Sequence, residues 1–108
     1  MSELRDIEGA LRSAHEFVTD PALYHRDESK QLANGLLRAA RALETDKVFA
    51  ARTWLRHFRD QLANDRRFAV LIAHNKRTVR ERWDSVDSLS AWALEQLNQP
   101  HLIEGEEE

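Results

Sequence analysis

Five histidines, at positions 15, 25, 57, 74 and 101, are the side chains best suited to proton transfer or metal binding near neutral pH. A carboxylate metal site in a helical protein needs Glu-x-x-His pairs facing a bundle core. No glutamate here is followed by a histidine three positions later, and His-Glu-x-x-His does not occur. His25-x-x-Glu28 and His57-x-x-Asp60 do occur, but their polar neighbours read as outer helix faces. Neither a metal site nor a cofactor is expected.

Phosphodiester chemistry gives a second test, because some helical RNases place four to six residues between an arginine and a following histidine. Arg52 with His57 and Arg67 with His74 have that spacing. Thirteen arginines and five histidines in 108 residues make two such pairs the number expected by chance. On a helix, Arg52 and His57 would also point about 140° apart. The serines at 2, 13, 29, 85, 88 and 90 gather near expected helix starts, where capping accounts for them. There is no Gly-x-Ser-x-Gly elbow and no phosphate-cradling glycine loop. The reading is of a chain without catalytic residues, not an enzyme, and with no small-molecule substrate implied.

Arginine carries more information. Arg52, Arg56 and Arg59 fall within about 60° of one another on a helical wheel, beside Phe49. Lys76, Arg77 and Arg80 share the outer face of a later segment, with Arg66 one or two turns before them. Meeting at a groove, these residues would form a basic surface for an RNA or single-stranded DNA backbone, with Phe49 or Trp54 to stack on a base. Paired with acidic helices instead, they would be solvated faces. A different signal is apolar surplus. Leu37, Phe49, Val70 and Leu94 lie off the stripes that fill a simple bundle, which points to a protein partner or a homo-oligomer.

These side chains must be placed by helices, because apolar residues recur at three and four positions in five segments. Leu4, Ile7, Leu11, Ala14 and Val18 form the first stripe, which Asp20-Pro21 ends. The second segment, from about Asp27 or Ser29 to Glu44, carries Leu32, Leu36, Ala39 and Leu43, widened by Ala33, Leu37 and Ala40. Gly35 costs that helix about 1 kcal/mol relative to alanine, which predicts a close helix crossing. Thr45-Asp46 is the expected cap of a third segment bearing Val48, Ala51, Leu55, Phe58 and Leu62. A fourth runs from Arg66 to Trp83. A fifth opens at Asp84-Ser85 and carries Val86, Leu89, Trp92, Ala93 and Leu97, with Trp83 and Trp92 both at core positions. The expected fold is all-α: a compact four- or five-helix bundle with short connections. Residues 1–99 form its single domain, and 100–108 an acidic, flexible tail.

Composition agrees and narrows the class. Apolar residues make up 42% of the chain and charged ones 32%, with three glycines and two prolines, too few for a loop-rich β sandwich. The absence of cysteine excludes disulfides, thiolate metal sites and a thiol nucleophile. No apolar run approaches the roughly 20 residues of a membrane span, and residues 2–8 are too charged for a secretory leader. A cytoplasmic protein with no membrane association is expected. The net charge of −3 conceals an uneven distribution. Residues 38–82 hold twelve basic and five acidic side chains, whereas 83–108 hold seven acidic and no basic ones. Either the acidic ends cover the basic centre or a polyanion does. From these features the expected function is a non-enzymatic interaction protein, such as an adaptor, inhibitor or accessory subunit. The alternative is a small nucleic-acid-binding subunit.

Overall fold

A computed structural model of the chain describes residues 3–20, 27–66, 69 and 77–99. Among these, four helices account for nearly all of the backbone: α1 (Glu3–Thr19), α2 (Asp27–Glu44), α3 (Val48–Asn64) and α4 (Arg77–Leu97). Each packs on its sequence neighbour, and α4 returns to pack on α1, so the four close a ring around one core. Side-chain contacts fix the directions. Arg5 near the start of α1 meets Leu43, Glu44 and Asp46 at the end of α2. Arg82 near the start of α4 meets Phe17 and Asp20 at the end of α1. The bundle is up-down-up-down.

The core follows the expected stripes. Ile7, Leu11, Ala14 and Val18 of α1, Leu32, Ala33, Leu36, Ala39, Ala40 and Leu43 of α2, and Val48, Ala51, Leu55 and Phe58 of α3 are buried. Helix α2 shows the wide apolar face of an element packed on both sides. Gly35 is also buried, in the seam with α3, where the expected close crossing occurs. In α4 the inward positions are Val79, Trp83, Val86, Ser90, Ala93 and Leu97. Their steps alternate between four and three residues, as in coiled-coil packing.

Three sequence expectations are corrected. The boundary expected at Asp84-Ser85 is absent: α4 runs through it, and the Ser85 hydroxyl donates to Glu81 O one turn back at 3.1 Å. A serine can satisfy its hydroxyl within a helix in this way, so it need not mark a start. Trp92 is 41% exposed rather than in the core. The inward place beside it belongs to Ser90, a residue that hydropathy does not flag. Finally, Lys47, not Thr45 or Asp46, is the N-cap of α3, and no side chain caps it. Thr45 and Asp46 instead close α2. Asp46 N–H donates to Leu43 O at 3.0 Å and Lys47 N–H to Ala42 O at 2.9 Å, while Asp46 takes a left-handed φ of 59°. That is a Schellman ending with aspartate where glycine is usual. The acidic tail 100–108 and most of the expected fourth segment lie outside the described residues.

Candidate interaction surfaces

The α3–α4 seam was expected to display a basic groove, and its arginines have separate fates. Arg59 turns into the seam. Its Nη1 donates to Asp87 O at 2.8 Å, to Asp87 Oδ1 at 3.1 Å and to Ser90 Oγ at 2.9 Å. The Ser90 hydroxyl donates in turn to Asp87 O at 2.8 Å, so the buried serine is satisfied on both sides. Arg77 pairs along its own helix with Glu81 at 2.9 Å. Arg52 is half-buried, and its Nε is enclosed without a hydrogen-bond acceptor. Arg56, Arg66 and Arg80 are exposed. Lys76 lies outside the described residues.

Of the expected apolar contact residues, Phe49 is 46% exposed. Leu37 is half-buried on α2, and Leu94 is half-buried on α4 and packs against the core. Val70 lies outside the described residues. Trp54 is not an open platform: the Arg38 guanidinium lies 4.7 Å from the centre of its ring, and His57 meets it edge-on at 6.1 Å.

An apolar concavity lies on the other side, along the α1–α4 seam. There Ala10, Ser13, Ala14 and Phe17 face Ser85, Val86 and Leu89 across an open groove of about 360 Å³. Small residues on α1 and the half-buried Leu89 make its floor. Phe17, 41% exposed, closes one end, where Arg82 lies 4.3 Å above the ring and donates to Phe17 O at 3.1 Å. Asp20 holds the same guanidinium from the side at 3.6 Å. Two turns beyond Ser85 on α4, the exposed Trp92 lies within about 20° of the same line. One large aromatic thus lines the groove of small side chains, and a second stands further along the same helix as Ser85. Sequence reasoning missed both. Phe17 stands one position from buried Val18 and off the apolar stripe, where nothing in the spacing singles it out, and Trp92 reads as core.

On the α1–α2 side the surface is polar and already paired. Arg5 reaches Glu8 at 2.6 Å and Asp46 at 2.5 Å, and Arg12 bridges Glu8 at 3.0 Å and Glu44 at 2.7 Å. His15, half-buried nearby, is held below its ordinary pKa. Burial disfavours its charged form, the Arg41 charge adds to that, and Glu16 opposes it. Among the described residues no three His, Asp or Glu side chains group closely enough to hold a metal ion. No helix among them is long and apolar enough to cross a membrane. No protein-family model matches the chain, and neither a curated protein nor a solved structure matches it.

Proposed function

We propose that this chain is a non-enzymatic interaction protein that works by placing its α1–α4 face against the surface of a protein partner. One observation carries the reading: Phe17, 41% exposed, lines an apolar groove between two helices, and a second exposed aromatic, Trp92, lies further along α4. Large aromatics left in water beside a preformed hollow are the residues that supply binding energy at protein interfaces. Such a groove suits the apolar face of a partner helix, whose side chains would enter it beside Phe17. The paired charges of Arg82 and Asp20 at its rim would orient the approach. A cytoplasmic setting belongs to the same proposal and is compatible with the cysteine-free sequence.

The test is a pair of substitutions, Phe17→Asp and Trp92→Asp, made singly and together. Both side chains are substantially exposed, so far-ultraviolet circular dichroism should be unchanged. Each should weaken the complex formed by the wild-type chain, whether with itself or with a co-purifying protein, by roughly 30-fold or more, the loss typical of an interface hot spot. Molar mass by light scattering and affinity by calorimetry read the result. A double variant that retains the wild-type complex overturns the proposal.

A further inference from the structure

We infer that the edge of α3 facing α4 binds single-stranded nucleic acid, independently of the α1–α4 face. Phe49 stands one heptad before Arg56 on α3, within about 20° of the same line, and Arg52 lies about 40° from Arg56. An exposed aromatic ring thus shares one edge with two arginines. Phe49 is 46% exposed, the most of any large apolar side chain among the described residues. The seam then continues basic. Arg80 on α4 is one heptad before Asp87, which places it on the edge that meets α3, and Arg66 follows the cap of α3 at that same end. Arg56, Arg66 and Arg80 are exposed, and no carboxylate pairs with any of them among the described residues.

Length and shape favour a strand of nucleic acid over an acidic protein. From Phe49 to the end of α3 the row spans roughly 22 Å, at about 1.5 Å per residue. Cations spaced along a line, with a ring in the row, match a chain of phosphates carrying a base that can stack. The structure also separates the contributors from the bystanders. Arg59 is held by Asp87 and Ser90 and Arg77 by Glu81, so neither is free to meet a phosphate. Trp54 is covered by Arg38, whereas the ring that lies in the row with the arginines is Phe49, 46% exposed.

The probes are fluorescent twelve-nucleotide oligouridylate and oligothymidylate, with a polyglutamate peptide as the competing polyanion. Four phosphate contacts predict a log–log salt slope of about −3, or a loss of roughly 50-fold between 50 and 200 mM salt. Combined Arg56→Gln, Arg66→Gln and Arg80→Gln should abolish binding with no change in circular dichroism. Phe49→Ala should weaken it about ten-fold at constant salt slope. Asp87→Asn, by releasing Arg59, should strengthen it. Phe17→Asp with Trp92→Asp should leave it unchanged, which separates this site from the protein-binding face. Failure to bind either oligonucleotide at 50 mM salt, or equal binding of polyglutamate with no effect of Phe49→Ala, overturns the inference.

Discussion

Gly35 of α2 lies against Phe58 of α3 so closely that a Cβ on the glycine would stand 2.9 Å from the Phe58 Cβ. The atom in the way is fixed to the α3 backbone and cannot swing aside as a side-chain tip would. Trp54 O lies at 3.5 Å on the same side. The glycine is therefore retained for contact between helices, against its own helix propensity.

Gly35→Ala tests this with a result opposite to propensity. In an open helix the change would stabilise by about 1 kcal/mol. Here the overpacking costs about 1–3 kcal/mol and should win, giving a net loss of up to about 2 kcal/mol. Urea denaturation reads it. Gly9 supplies the control, since nothing lies within 4 Å of a Cβ at that position, and Gly9→Ala should stabilise.

The α2–α3 turn makes a second prediction. Asp46 holds a left-handed backbone that an L-residue adopts at a cost of about 1 kcal/mol or more relative to glycine. Its ion pair with Arg5 at 2.5 Å is exposed and worth about 0–1 kcal/mol. Asp46→Gly should therefore equal or exceed the wild type in stability. Asp46→Ala loses the pair and keeps the strain, so it should fall about 1 kcal/mol below the glycine variant. Thermal melts of the two variants in parallel decide the matter.

A third prediction concerns pH. His15 is held below its ordinary value of 6.5 by burial first and by Arg41 second, against the opposing effect of Glu16. The unfolded chain then binds a proton before the folded one does. The contribution of His15 is present above pH 6.5 and is lost as pH falls from there to the lower folded value. His15→Gln should flatten that part of the stability–pH curve. A curve unchanged by the substitution would show that His15 does not couple to folding.

How much of this was legible beforehand depended on whether hydropathy carried the signal. The stripes of α1, α2 and α3 were readable because the inward residues are apolar at regular steps, and Gly35 was readable because glycine in such a stripe has a packing cost. In α4 the periodicity misled. Ser90 takes an inward position with its hydroxyl satisfied by Arg59 and Asp87 O, so counting apolar residues shifts the phase toward Leu89 and Trp92. That shift hid the exposed tryptophan. The arginines were visible as a group but not individually. Which of them is taken up by a carboxylate depends on the register of α3 against α4, and no single-helix wheel contains it.

The ring of helices has a consequence in time as well as space. Three of its seams join neighbours in sequence. The fourth, α4 on α1, joins the first helix to the last. Its closure carries the largest loop entropy, so it depends on the other three seams to hold its halves near each other. The groove lined by Phe17 and Leu89 exists only when that seam is shut. A partner that recognises it therefore recognises completed molecules alone, and by mass action it protects the seam that is most costly to close.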